Sequence, residues 1–296
     1  MKQAKQTSSS IVEAELESHL NDIEKELDSD ILVFKGPIYY RIDDVIRDGV
    51  EWLREGKKRK DKKLVVVLET TGGDINVTER IANVFRKHYA RVEFIIPNFA
   101  MSAGTILVLS GDAIHMDYYS TLGPIDPQVK NADGNWVPAL GYLAEYERLI
   151  KKASAEGLTT EETTYLVRRF DPAELYSYKQ ARDLTIKLLE EWLVKYKFRN
   201  WKETTTRKLK VTPAMRRARA SDIARELNKT DDWCSHGRGI SMEVLRKKLN
   251  LRIDDIEENQ NLNDKLKIYY KLLEDYMDKL GQSAVLHVKG RYIPIF

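Results

Sequence analysis

Ser102 is the residue of this sequence best placed to carry chemistry, because small residues surround it at the end of an aliphatic segment. It lies in the run Ala100-Met101-Ser102-Ala103-Gly104-Thr105. Earlier in the chain, another aliphatic segment ends in Thr70-Thr71-Gly72-Gly73-Asp74. A small-residue turn that starts a helix exposes backbone N–H groups. A hydroxyl beside convergent N–H donors is what acyl transfer needs, a nucleophile with an oxyanion hole.

Alternating strands and helices are predicted to position these two turns. The aliphatic runs predict strands at 64–69 and 91–96, with a helix over 75–88 between them and Asp74 as its N-cap. A second unit follows, with a helix over 102–110 and a strand over 113–116. Repeated βαβ units of this kind predict an α/β fold, a parallel sheet with helices packed on it.

Composition permits one large core and excludes several classes of protein. The chain has 296 residues, 42% of them hydrophobic, and a net charge of +3 that excludes no partner class. Its one cysteine, Cys234, excludes an internal disulfide framework and fits a reducing compartment, so we expect a cytoplasmic protein. The apolar runs are too short for a membrane span, and no signal-peptide core follows the polar N-terminus. We expect no metal and no cofactor, because the histidines are scattered and no P-loop pattern follows Gly73.

Three motifs in order carry a resemblance to a known family. They are Thr71-Gly72-Gly73, the run around Ser102, and Leu122-Gly123-Pro124-Ile125-Asp126-Pro127-Gln128. Together they resemble the serine dehydrogenase proteinase family of the Clp-protease and crotonase superfamily, which is related to signal peptide peptidase A. The resemblance implies a Clp-protease/crotonase-like core with Ser102 as nucleophile. It also implies an oxyanion hole formed by the N–H of Gly72 or Gly73 together with that of Ala103.

The residue patterns, together with this resemblance, predict three regions. Residues 1–29 are expected to form an N-terminal helical segment, and residues 30–198 the Clp/crotonase-like α/β peptidase core. Residues 199–296 are expected to form a basic, mainly helical C-terminal region. Between 199 and 219 this region contains many Lys and Arg residues and a single acid, Glu203.

The general base is not fixed by the sequence. Clp-type relatives place a histidine after the serine, but the stretch around Asp126 contains none, and we interpret His115 as structural. A desolvated lysine serves as base in relatives of the signal peptide peptidase A type. Lys179 is the preferred lysine, and His236 is the remaining histidine candidate. Asp126 is expected to line the cleft or orient the base, or to have a purely structural role in the turn that contains it. Three further lysines stay open as alternatives: Lys130, Lys151 and Lys152.

The resulting hypothesis is a cytoplasmic serine endopeptidase that cleaves peptide or protein substrates through an acyl-enzyme on Ser102. The alternative is a nucleic-acid-binding or scaffold protein built on a degenerate peptidase core. We favour the first, because Gly72-Gly73 and Met101-Ser102-Ala103-Gly104 lie at consecutive strand ends. About twelve residues separate two short C-terminal helical patterns, which is too many for a standard helix-turn-helix. A homo-oligomer is expected from two apolar helical stripes, one over Ile11–Leu27 and one over 257–280.

Overall fold

The chain was analysed as a computed structural model, which describes residues 7–56, 63–130, 136–229, 233 and 237–295. For residues 129, 130 and 136–138 only the main chain is described. Within the described residues, no helix combines the length and the apolar character needed to cross a bilayer.

Strands and helices alternate through the first half of the chain. They are α1 (Ser8–Leu27), β1 (Ser29–Lys35), α2 (Ile42–Arg54), β2 (Lys63–Glu69), α3 (Ile75–His88), β3 (Arg91–Ile96), β4 (Phe99–Ala100), α4 (Ala103–Leu109), β5 (Ala113–Met116), β6 (Thr121–Leu122), β7 (Gln128–Lys130) and β8 (Trp136–Pro138). The predicted βαβ alternation is confirmed. The predicted N-cap is also confirmed, because Asp74 Oδ1 accepts a hydrogen bond from Asn76 N at 2.7 Å.

The second half of the chain is richer in helix. Its elements are α5 (Ala139–Ala155), α6 (Thr160–Arg169), α7 (Pro172–Trp192), a π-helical turn (Leu193–Lys197), α8 (Pro213–Leu227), β9 (Ile240–Ser241), α9 (Met242–Lys247), β10 (Asp254–Asp255), a 3-10 turn (Ile256–Glu258), α10 (Gln260–Leu280), β11 (Ala284–Val288) and β12 (Arg291–Ile295). We call α5, α6 and the first half of α7 the helical arm.

The described strands form one main sheet in the order β10-β5-β3-β2-β1-β11-β12. The pairs from β10 to β1 are parallel, as predicted, and the C-terminal hairpin β11–β12 continues the sheet in antiparallel sense. The C-terminal region was expected to be mainly helical, but it also supplies these strands. A small second sheet, β4-β6-β9, lies beyond the carboxyl end of β3.

Side chains of the central strands alternate between two apolar layers. Leu64, Val66 and Leu68 of β2 face the layer built from α2, α3, α4, α8 and the end of α7. Val65 and Val67 face the layer built from α1 and α10. Both faces of the sheet are therefore covered, which is why these strands appear in the sequence as unbroken aliphatic runs.

The two apolar stripes that suggested oligomer contacts pack on each other instead. Leu16, Leu20 and Ile23 of α1 are fully buried against the sheet and α10, whose Tyr269 and Leu273 are also fully buried. The sequence pattern could not distinguish this intramolecular contact from a contact between copies. Ile11 of α1 and Ile268 of α10 remain exposed at the edges of these stripes. The helical arm is also exposed, and α6 contains no buried residue.

Candidate active site

The turns after β2 and β3 meet at the carboxyl edge of the parallel sheet. Val67 of β2 lies beside Ile95 of β3, so the two strands end at the same level. Met101 N donates to Thr70 O at 2.9 Å, and Thr70 N donates to Phe99 O at 3.1 Å. These bonds hold the glycine turn against the serine turn, at the edge where open α/β sheets bind ligands.

Ser102 adopts a backbone conformation that non-glycine residues rarely take. Its φ is 52° and its ψ is −121°, which costs on the order of 1–3 kcal/mol and persists only where the surroundings enforce it. Ser102 is half-buried at the N-cap position of α4, yet its hydroxyl makes no capping bond to the first turn of that helix, all of which is described. A strained strand-to-helix turn with a hydroxyl left free of capping is the arrangement of a nucleophile elbow.

Gly72 packs directly on this serine. Its φ is +91°, and a Cβ there would lie 2.5 Å from Met101 O and 2.8 Å from Ser102 Cβ. A side chain would therefore clash with the serine turn, and the positive φ already favours glycine at this position. Gly73 is equally restricted, because a Cβ there would lie 1.9 Å from Ile38 O.

The two glycines differ in whether their N–H groups are available. The Gly72 N–H donates to Thr70 Oγ1 at 3.0 Å. Ile38 bonds to the residues on either side of Gly73, through Ile38 N to Gly72 O and Asp74 N to Ile38 O. The Gly73 N–H has no acceptor among the described residues, and the same is true of the Ala103 N–H in the first turn of α4. Of the donors expected from the sequence, Gly73 and Ala103 are therefore the free ones.

Thr105 joins the serine turn to the following loop. Its Oγ1 donates toward two carbonyls, Ala100 O at 2.8 Å and Gly123 O at 3.0 Å, and it accepts from Gly123 N at 2.9 Å. Gly123 lies so close to the serine turn that a Cβ would be 3.2 Å from Ser102 N. Neither Thr105 nor Thr70 was predicted to have a role in the site. Sequence motifs do not reveal a hydroxyl whose hydrogen bonds are made only to the backbone.

We expect Thr105→Val to lower kcat about tenfold or more while KM changes little. The substitution keeps the shape of the side chain but leaves Gly123 O without the hydroxyl that donates to it, while Ala100 O and Gly123 N keep their bond to each other. The serine turn therefore loses part of its fixed geometry. Steady-state kinetics on a peptide substrate measures the split. Thr105→Ser, which keeps the hydroxyl, should restore most of kcat. A Thr105→Ser variant as slow as Thr105→Val would contradict this positioning role.

Asp126 lies near the site but does not form an exposed wall of it. The side chain is fully buried, and its Oδ2 accepts from Gln128 Nε2 at 3.0 Å. The neighbouring Ile125 N donates to Leu227 O at 3.2 Å. Next to that contact, Asn228 is 7% exposed, and neither of its side-chain polar atoms has a partner among the described residues. The structure thus favours a positioning or structural role for Asp126 over a cleft-lining one.

Three of the lysines considered as bases, Lys151, Lys152 and Lys179, lie on the helical arm. Lys179 is exposed on the half of α7 that packs on α5 through Tyr178, so this chain alone does not desolvate it. Lys151 is also exposed, and Lys152 Nζ pairs with Glu162 Oε1 at 2.7 Å. The side chain of Lys130 lies outside the described part of the chain, as does the whole of His236.

His115 has a structural partner. Its Nε2 lies 3.1 Å from Glu93 Oε2, which agrees with the structural interpretation made from the sequence. Burial raises the pKa of Glu93, but the hydrogen bond from His115 and the charges of Lys63 and Arg91 outweigh it and bring the pKa to about 2.

Lys197 is a desolvated lysine that the sequence analysis missed. Burial lowers its pKa to about 8, an effect that Asp254 opposes. Its charged neighbours Glu93 and Asp112 lie at the beginnings of β3 and β5. Ser102 follows the opposite end of β3, so Lys197 is not placed to accept its proton. Nothing in the local sequence distinguishes this lysine from the exposed Lys195.

The residues that the structure describes bring no three His, Cys, Asp or Glu side chains together as a metal site. What the site assembles is one half-buried serine with two free N–H donors. A hydroxyl with N–H donors of this kind is the set of groups that acyl transfer uses.

Comparison with known proteins identifies the family. Residues 23–205, more than half of the chain, match the family described as ClpP-like SDH-type serine proteinase. The uncharacterized protein MJ1495 of Methanocaldococcus jannaschii is 29% identical over 266 residues, which cover 89% of this chain and 73% of that protein. The uncharacterized protein MJ0137 of the same organism is 38% identical over 98 residues, covering 33% of this chain and 34% of its own.

A solved structure of the 1510-N membrane-bound stomatin-specific protease aligns with 80% of this chain and 84% of its own. The TM-score is 0.46 and the sequence identity 13%. The family match rests on the sequence, and its range contains both glycines of the turn, Ser102 and Asp126. The chain belongs to the ClpP-like SDH-type serine proteinase family.

Proposed function

We propose that this protein is a serine peptidase that cleaves peptide bonds through an acyl-enzyme on Ser102. The observation that carries the proposal is the strained Ser102, held against Gly72 and accompanied by the free N–H groups of Gly73 and Ala103. Two donors beside one nucleophile match the needs of a tetrahedral intermediate.

The chemistry follows from those groups. Ser102 Oγ attacks the peptide carbonyl carbon while a base takes its proton, and the carbonyl oxygen becomes an oxyanion held by the N–H groups of Gly73 and Ala103. The intermediate collapses as the C–N bond breaks, and the protonated base returns the proton to the leaving amine. Water, deprotonated by the same base, then attacks the ester and releases the acid and free Ser102.

We propose His236 as the preferred base and keep Lys179 as the alternative. The described residues on either side of His236 are held beside the segment that contacts Ser102. Leu227 O accepts from Ile125 N, and Ile240 pairs with Leu122. Gly239 packs on Thr121. Lys179 lacks the desolvation that a lysine base needs, unless another copy of the chain covers it.

A homo-oligomer is also proposed, now on the surface of the helical arm rather than on α1 and α10. Exposed apolar side chains there include Ile150, Val167 and Tyr176. Sedimentation at micromolar concentration should give a mass that is a multiple of 34.3 kDa. A clean monomer under those conditions would refute the proposal. The cytoplasmic location stays a prediction.

A fluorophosphonate tests the proposed function directly. The reagent should lose fluoride and form one phosphonyl ester on the peptide that contains Ser102, as seen by mass spectrometry. The protein should also degrade an unfolded protein substrate. A chain that neither reacts nor degrades the substrate, but retards DNA or RNA in a salt-dependent gel shift, would support the nucleic-acid alternative instead.

A further inference from the structure

The helical arm contains a cleft whose lining residues include none of those that build the Ser102 site. It opens between α5 and α6 and has a volume of about 380 Å³, within the range of small-molecule sites. Its lining residues are Gly141, Tyr142, Glu145, Tyr165, Arg169 and Phe170. The Ser102 site is built from the strand ends and α4, so the acyl-transfer chemistry leaves this cleft without a role.

Three of the six lining residues are aromatic. The Phe170 ring centroid lies 6.4 Å from that of Tyr142, 5.7 Å from that of Tyr165 and 5.7 Å from that of Tyr146. The rings meet at inclined angles rather than in a stack, and the Tyr165 side chain remains 45% exposed. Half-exposed rings gathered around one phenyl group suit an apolar ligand group that would cover them.

The charges beside these rings leave one cation without a partner. Arg148 donates to both oxygens of Glu145, at 2.8 Å from Nε and 2.7 Å from Nη2. This hydrogen bond lowers the pKa of Glu145, so that carboxylate is ionised and already neutralised. Arg169 has no acceptor and no ion-pair partner among the described residues. The cleft therefore has a free guanidinium at its edge, and a planar carboxylate is the ligand group that a guanidinium binds best.

We propose that this cleft binds an apolar carboxylate, namely the C-terminal residue of a peptide that ends in an aromatic or branched aliphatic side chain. The side chain packs on Phe170, Tyr142 and Tyr165, and the terminal carboxylate pairs with Arg169. Peptide hydrolysis produces new C-terminal carboxylates, so the ligand class agrees with the proposed function. The binding site itself does not depend on Ser102 chemistry.

Arg169 could instead serve only to stabilise α6, because it lies in the last turn of that helix. A basic residue there complements the helix dipole whatever it binds. Arg168 shares the last turn, the charge and the solvent exposure, but it does not line the cleft. Arg168→Ala is therefore the matched control for Arg169→Ala.

The experiment titrates the full chain, carrying Ser102→Ala so that no probe is hydrolysed, with N-acetyl-phenylalanine and with N-acetyl-phenylalanine amide. The acid should bind at least about tenfold more tightly than the amide, because only the acid forms the charge-assisted pair. Arg169→Ala should remove that preference, and Arg168→Ala should leave it within about twofold. Tyr165→Ala should weaken both probes.

Three results would overturn the proposal. They are equal binding of acid and amide, an Arg168→Ala variant that loses as much as Arg169→Ala, and no saturable binding of the acid at millimolar concentration. None of them bears on the proposed peptidase, because the titration uses a chain without the nucleophile. Conversely, a failed fluorophosphonate reaction would leave the expected binding unchanged.

Discussion

Replacing Ser102 by alanine is expected to abolish peptide hydrolysis while the fold remains intact. The change removes the one oxygen that would form the acyl-enzyme, and loss of a catalytic serine lowers kcat by about 10⁴-fold or more in comparable enzymes. Stability should change by less than about 1 kcal/mol, the typical value of a cap, because the Ser102 hydroxyl makes no capping bond to α4.

Two measurements check this result together. Turnover of a peptide substrate gives kcat and KM, and denaturant unfolding gives the free energy of unfolding. Ser177→Ala is the matched control, since Ser177 is exposed on α7 and should keep full activity. A Ser102→Ala variant that cleaves as fast as the parent would end the peptidase interpretation, whatever its stability.

The sequence predicted those parts of the fold that depend on local pattern. The run Leu64–Leu68 predicted a strand, and its lack of alternation agrees with burial on both faces of the sheet. Gly72 and Gly73 predicted a tight turn at the end of β2, and both glycines have a positive φ there. Strand ends of a parallel sheet share one edge, so the meeting of the glycine and serine turns could be predicted without coordinates.

Other features of the fold and of the site could not be predicted, because they depend on contacts between distant residues or on the orientation of a single side chain. The packing of α1 on α10 brings the two ends of the chain together. In the sequence, the apolar stripe of either helix could equally be a surface that binds another molecule. The choice between Gly72 and Gly73 as donor depends on the Thr70 hydroxyl, which occupies the Gly72 N–H. The desolvation of a lysine is likewise a tertiary property, so Lys179 and Lys197 could not be ranked from sequence.

We expect His236→Ala to lower kcat nearly as far as Ser102→Ala does, and Lys179→Ala to leave it close to the parent value. A serine hydroxyl needs a base within hydrogen-bond reach, and the described neighbours of His236 are anchored beside the Ser102 loop. Lys179 is exposed on the helical arm. A histidine base predicts that kcat/KM falls below about pH 6.5, the ordinary range of imidazole, whereas a lysine base would place the fall higher.

The double variant Ser102→Ala/His236→Ala separates a catalytic partner from a residue that only supports the loop. Two groups that act as one unit give non-additive losses, so the double variant should be about as slow as Ser102→Ala alone. Loss of activity in Lys179→Ala, with His236→Ala active, would transfer the role to the lysine. Parent rates in both single variants would exclude both residues, and Lys130, Lys151 and Lys152 would be the next substitutions to measure.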